Sequence, residues 1–138
     1  MLAIGQRHIS SDPPLPEQLT NAIGEVLDHI DDAKRELPLL IDTAAVVMSG
    51  AIPRAIAAVE VGAVIESAEF ILSRDAAEDV FRTRATESHS ERRHNPGLPA
   101  DLVPVIVGGC CVLVGVIRGL QLDGVTISMD PTAAADNG

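Results

Sequence analysis

One short stretch of the sequence is placed to bind an anion. Residues 39–41 are apolar and read as a buried strand, and Asp42, Thr43 and Ala44 then turn into a predicted helix. Amides at a helix N-terminus point outward and can bind an oxyanion, so Thr43 and Ala44 are candidate phosphate-binding residues. The alternative is that Asp42 simply caps the helix. We favour the cap. Neither glycine-rich phosphate motif, G-x-x-x-x-G-K-[ST] or G-x-G-x-x-G, occurs in the chain.

The other polar residues give no catalytic or metal-binding pattern. Ser49 and Ser73 have no partner histidine in a recognisable motif. His89 and His94 lie within the charged segment 88–94, and their spacing is loose for a pair of metal ligands. We therefore interpret this segment as an exposed face and predict neither a catalytic residue nor a metal site within the chain.

Cys110 and Cys111 are adjacent and lie in an apolar run over 102–117 that contains glycines but no charged residue. Neighbouring cysteines rarely bond to each other, and no further ligand is close, so we interpret them as apolar core residues. The run is shorter than the roughly 20 residues of a membrane span and lacks a flanking basic cluster. We predict a helix buried nearly all round, with a membrane-anchored protein as a less favoured hypothesis.

Length and charge restrict the class of protein further. The 138 residues suffice for one domain, and 46% of them are hydrophobic. The net charge is −10, and the densest basic cluster is interrupted by glutamates, which argues against nucleic-acid binding. Residues 1–20 contain charge and three prolines and lack the apolar core of a secretory leader, so we expect a cytoplasmic protein.

The remaining pattern predicts strands and helices in alternation. Residues 16–36 place apolar side chains at spacings of three and four, which predicts an amphipathic helix ended by Pro38. Ser73 is placed to cap a helix over 74–86. Strands are predicted over 1–10, 39–41, 63–73 and 123–128, a turn at 95–97, and a disordered tail over 129–138. This order indicates an α/β fold.

Two segments resemble the Ppx/GppA family of exopolyphosphatases and guanosine pentaphosphate phosphohydrolases, most closely its actinobacterial members. The first is IGQRHISSDPPLPEQL, which is similar to the family's strand, its DPP loop and the following helix. The second runs from SRDAAEDVF through HNPGL and VGGCC to the strand ending TIS. The resemblance covers about residues 2–128, and HNPGL followed by the glycine-bearing helix is its most specific part.

The resemblance implies a ribonuclease-H-like lobe of the actin and sugar-kinase type, with a mixed sheet and packed helices. Complete family members have two such lobes around a cleft for polyphosphate or a guanosine polyphosphate, usually with magnesium. There a first-lobe carboxylate activates water. This chain resembles the second lobe alone, over 1–128 and truncated at its N-terminus, so the catalytic carboxylate is not expected here.

Three positions depart from the family pattern. Asp42 stands where the family's phosphate loop usually has glycine, and its carboxylate would repel phosphate. Leu102 and Pro104 stand where the family usually has an Arg-x-Asp pair, which removes an anion contact. We therefore expect a diverged lobe that is inactive alone and binds a second copy or a full-length relative. The alternative is a subunit of a split hydrolase that needs a first-lobe partner.

Overall fold

The computed structural model describes residues 6–38, 45–63 and 65–130. Within these ranges a short 3-10 turn at Ala100–Leu102 precedes the last helix. In chain order the elements are α1 (Pro16–Glu36), β1 (Val47–Met48), α2 (Ala51–Val61), β2 (Glu69–Ser73), α3 (Arg74–Thr86), α4 (His89–Arg92), α5 (Ile106–Gly119) and β3 (Gly124–Ser128). The alternation of strands and helices confirms the α/β class.

The sheet is mixed and has the strand order β1–β3–β2. β3 is parallel to β1 and antiparallel to β2, and Thr126 pairs with Val47 on one side and with Ile71 on the other. Successive side chains of a strand point to opposite faces. The face that includes Leu72 and Ile127 is buried against helices, whereas Val47 and Ile71 lie on the opposite, exposed face.

Helix α5 is the centre of the core. Every residue from Ile106 to Ile117 is buried, because α1, α2 and α3 all pack around this helix. At Gly108 a Cβ atom would lie 2.9 Å from the backbone nitrogen of Gln6, so the missing side chain admits the neighbouring backbone. The prediction of a glycine-bearing buried helix is confirmed. No helix among the described residues is long and apolar enough to cross a membrane.

The two helices predicted most directly from sequence are also confirmed. Pro16 begins α1, the side chain of Gln18 accepts a hydrogen bond from the Leu15 amide (3.1 Å), and the predicted apolar face includes buried Ile23 and Val26. The hydroxyl of Ser73 accepts a hydrogen bond from the Ala76 amide at 3.1 Å and so caps α3. Local sequence signals at the helix ends were sufficient in both cases.

Several predicted strands differ from the structure. In the strand predicted over 1–10, residues 6–9 form a turn, and the Ile9 amide donates to the Gln6 carbonyl at 3.0 Å. Residues 1–5 of this strand, and all of the strand predicted over 39–41, lie outside the described residues. The strand predicted over 63–73 contains only Glu69–Ser73 within the described residues. The predicted tail also begins in ordered structure, since the Met129 amide donates to the Ala68 carbonyl at 2.8 Å. Residues 131–138 lie outside the described ranges.

Candidate functional site

The turn between β1 and α2 places a glycine with positive φ directly before a helix. Gly50 occupies the N-cap position with φ 115°, a conformation that favours glycine because a side chain is strained there. The N-cap residue Gly50 provides no side-chain cap for α2, and the first turn carries no acidic residue. The amides of Ala51 and Ile52 lie at the positive end of the helix dipole, whereas Pro53 has no amide to offer.

Arg54 adds a positive charge to the same turn. It follows Gly50 by one helical turn, and its amide donates to the Gly50 carbonyl at 3.2 Å. The side chain is half-buried, and its Nη1 atom is buried without a hydrogen-bond partner among the residues that the structure describes. A guanidinium can bind phosphate oxygens, so Arg54 is a candidate that sequence reasoning did not select, although this buried Nη1 must become exposed to reach a ligand.

The position of this turn in the sheet is also typical of a binding site. β1 and β3 are parallel, so the turn after Met48 and the end of β3 at Ser128 lie at one edge of the sheet. Ligands of open α/β sheets bind at the carboxyl ends of parallel strands. The exposed carboxylates Glu69 and Asp130 belong to the same edge, and they weaken its attraction for an anion.

The predicted phosphate-binding residues Thr43 and Ala44, and Asp42 before them, lie outside the described residues and stay predictions. The prediction that the chain turns into a helix from Thr43 onward is wrong, because β1 follows and α2 begins only at Ala51. Two valines favour strand at this point, and Gly50 then marks the turn. These signals could have located the turn from sequence.

The resemblance implies magnesium, but the described residues do not form a set of ligands for it. Among the described ranges no group of three or more His, Cys, Asp or Glu residues could hold a metal ion. The β1–α2 turn offers amides and a guanidinium, which are donors and do not coordinate a cation. The described residues therefore suit an anion and supply no step through a metal.

Arg92 corrects the prediction of an exposed face over 88–94. Its side chain is 1% exposed, and it donates from Nε to the Arg84 carbonyl at 2.8 Å and from Nη2 to the Glu87 carbonyl. Burial lowers the pKa of the Arg92 guanidinium, an effect that nearby Asp12 and Glu87 oppose. Arg92 satisfies the carbonyls at the end of α3, so it stabilises the fold and is not available to a ligand.

The two cysteines are core residues, as predicted. Both are free and buried, and burial raises the pKa of each thiol to about 12. Neither is a thiolate at neutral pH, so neither is a nucleophile. Pro104 lies before α5, and its carbonyl accepts a hydrogen bond from Gln6 Nε2 at 3.2 Å.

The fold of the chain is similar to that of solved exopolyphosphatase structures. An exopolyphosphatase-like protein matches with a TM-score of 0.81 and 21% identity over 91% of this chain and 42% of its own. A Ppx/GppA phosphatase of Aquifex aeolicus matches with a TM-score of 0.77 and 15% identity, over 92% and 42% of the two chains. An exopolyphosphatase from Cytophaga hutchinsonii matches with a TM-score of 0.67 and 14% identity, over 88% and 40%.

The chain thus spans about two-fifths of the length of these proteins. At such identities the likeness shows the fold, and it confirms the predicted resemblance to one lobe of the Ppx/GppA proteins at that level. No family model and no curated protein matches the sequence. The resemblance to actinobacterial members in particular stays a prediction.

Proposed function

We propose that this chain is a phosphate-chain-binding lobe of the exopolyphosphatase kind that does not hydrolyse its ligand alone. The observation that carries the proposal is the β1–α2 turn, where Gly50 precedes the N-terminal amides of α2 and Arg54 follows one helical turn later with an Nη1 that has no partner among the described residues. The likeness of 91% of the chain to an exopolyphosphatase-like protein supports the same ligand class.

The charges of the chain make this binding weak. One helix N-terminus and one guanidinium attract a polyanion, whereas the net charge of −10 and the nearby carboxylates repel it. Magnesium that travels with polyphosphate would reduce this repulsion as the ligand's own counter-ion. We therefore expect binding that strengthens with magnesium and weakens when Arg54 loses its charge.

Hydrolysis needs more than these contacts. Cleavage of a phosphoanhydride requires a positioned water, donors around the phosphoryl oxygens and neutralisation of the developing charge. The described turn supplies donors and part of the neutralisation. The first turn of α2 carries no acidic residue, and no contact of Glu69 or Asp130 with this turn is described. We therefore expect binding without hydrolysis by the chain alone.

A second candidate function is that of a subunit in a split hydrolase. The observation that favours it is the extent of the structural match. The match extends over nearly all of this chain but over only 40–42% of the length of the solved proteins. A first-lobe partner would supply the carboxylate that activates water. Under this hypothesis phosphate release appears only when such a partner, or a full-length relative, is mixed with the chain.

The proposed function is tested by titrating long-chain polyphosphate into the purified chain in a calorimeter, with and without magnesium. Loss of one charge-assisted contact corresponds to about a ten-fold change in affinity, so Arg54→Gln should weaken binding by roughly that factor. The control Arg82→Gln removes the same charge from exposed α3, where Arg82 lies 3.5 Å from Asp79.

Wild-type and Arg82→Gln chains should bind equally. No binding by the wild type would refute the proposed function. Equal binding by the Arg54→Gln variant would refute the assignment of the site.

A further inference from the structure

Two glycines outside α2 allow other parts of the chain to pack closely against this helix. An added Cβ atom at Gly97 would lie 2.5 Å from the carbonyl carbon of Ala58 and 2.9 Å from the nitrogen of Val59, both near the C-terminal end of α2. An added Cβ atom at Gly109 of α5 would overlap Cγ2 of Ile52, in the first turn of α2. A glycine therefore lies in direct contact with α2 near each of its ends.

The turn that contains Gly97 is a firm support for α2. The Gly97 amide donates to Oδ1 of Asn95 at 2.8 Å, and the Leu98 amide donates to the Asn95 carbonyl at 3.1 Å. The Asn95 amide donates to the carbonyl of Arg92, whose side chain is bonded to the end of α3. Gly97 does not have a positive φ, so the close approach of α2 is what requires glycine here.

We propose that Gly97 and Gly109 are positioning residues of the anion site at the β1–α2 turn. They fix the axis of α2, and this axis sets the place of Gly50 and of the backbone from which Arg54 extends. α2 has 11 residues and is about 16 Å long, so a displacement at its C-terminal end also moves its first turn. The inference rests on the proposed function, because it concerns the same site.

The inference gives one task to two segments that are distant from Gly50 in the sequence. Gly97 belongs to HNPGL and Gly109 to VGGCC. The first segment meets the C-terminal end of α2, and the second meets its first turn. Neither glycine has a side chain that could bind a ligand, so each acts on the site through α2.

The contact at Gly97 is the less forgiving of the two. A carbon atom and a carbonyl oxygen in contact lie about 3.3–3.6 Å apart, and the Cβ of Gly97→Ala would meet the Ala58 carbonyl well inside this distance. Backbone atoms cannot rotate away, so α2 must shift by roughly 1 Å. Charge-assisted hydrogen bonds extend over only about 2.7–2.9 Å, so such a shift removes a contact to phosphate. At Gly109 the neighbour is a side-chain methyl group, which can yield in part.

Calorimetric titration of long-chain polyphosphate with magnesium tests the positioning. We expect Gly97→Ala to weaken binding at least about three-fold and Gly109→Ala to weaken it by a smaller factor. The control is Gly115→Ala, which overpacks α5 against Val26 of α1 instead of against α2. Gly109 and Gly115 are six residues apart, so they face directions about 120° apart on the helix. This control should bind as the wild type does, although it destabilises the fold.

A thermodynamic cycle with Arg54 separates positioning from a general loss of stability. In the Arg54→Gln background, Gly97→Ala should weaken binding less than it does in the wild type, because no guanidinium remains to be misplaced. Weakening by the same factor in both backgrounds would refute the assignment of Gly97 as a positioning residue. If Gly97→Ala does not fold, Gly109→Ala takes its place in the same cycle.

Circular dichroism establishes that each variant is folded at the temperature of the titration. Absence of binding by the wild type refutes the proposed function and this inference together. Binding that depends on Arg54 but is unchanged in Gly97→Ala and Gly109→Ala refutes the positioning alone. Equal weakening by Gly115→Ala identifies lost stability as the cause and also overturns the inference.

Discussion

Replacing Gly115 by alanine should destabilise the protein, although alanine is the better helix former. A Cβ atom at this position of α5 would lie 2.5 Å from Cγ1 and 2.8 Å from Cβ of Val26 on α1. Val26 is completely buried, and because its Cβ is also too close, rotation of its side chain cannot relieve the contact. The two helices must therefore move apart.

The magnitude follows from two opposing effects. Overpacking a core by one methyl group costs about 1–3 kcal/mol, and contact with two atoms of a stiff side chain favours the upper half of that range. Alanine in place of glycine inside a helix contributes about 1 kcal/mol of stability. We therefore expect the free energy of unfolding to fall by about 1–2 kcal/mol.

The matched control is Gly24→Ala on α1, where nothing lies within 4 Å of the added Cβ. This variant should gain about 0.5–1 kcal/mol from helix propensity alone. The chain has no tryptophan or tyrosine, so urea unfolding is best followed by far-ultraviolet circular dichroism. In the Gly115→Ala background, Val26→Ala should be less harmful than in the wild type, because it makes room for the new methyl group.

The reasoning about α1 and α5 is refuted if Gly115→Ala is as stable as Gly24→Ala. It is also refuted if the double variant shows no coupling between the two positions. Either result would mean that the helices do not meet at Gly115 as closely as described.

Three further outcomes follow from other contacts. Arg92→Leu should lower the free energy of unfolding by about 2–4 kcal/mol in urea titrations, since two partly buried carbonyls lose their donor. An unchanged urea midpoint contradicts this. Cys110 and Cys111, with thiol pKa values near 12, should react with a thiol reagent at pH 8 only as the chain unfolds. The stability linked to these raised pKa values is present at neutral pH and is lost as pH rises from about 9 toward 12, so the melting temperature should fall in that window. Rapid labelling of the native chain would contradict burial of the thiols. The hydrogen bond from Arg118 lowers the pKa of Glu78. The pair therefore stabilises the fold at pH values above the usual carboxyl pKa, and this stability is lost as pH falls below it. Acid melting curves of wild type and Glu78→Gln should therefore converge at low pH, and a constant difference contradicts the pairing.

The helices could be predicted from sequence because their signals are local. The apolar spacing over 16–36, the serine before α3 and the uncharged run around the cysteines each predicted an element that the structure contains. The strands could not be bounded as well, because β1 has only two residues and depends on pairing with β3. Periodicity within so short a segment carries too little information.

The site was less predictable than the fold. Sequence reasoning chose the first strand-to-helix turn after α1 and so selected Thr43 and Ala44, whereas the described turn is at Gly50. The role of Arg92 was also missed, because a polar segment gives no sign that one of its side chains folds inward onto a helix end. Burial of a single arginine depends on tertiary contacts that composition does not report.

The measurement that tests the central claim most directly is phosphate release from long-chain polyphosphate and from guanosine pentaphosphate, with magnesium, by the purified and folded chain. We predict no release above that of a Thr43→Ala control, together with polyphosphate binding that depends on Arg54. Release that exceeds the control by the chain alone would contradict the proposal of a binding lobe without hydrolytic activity.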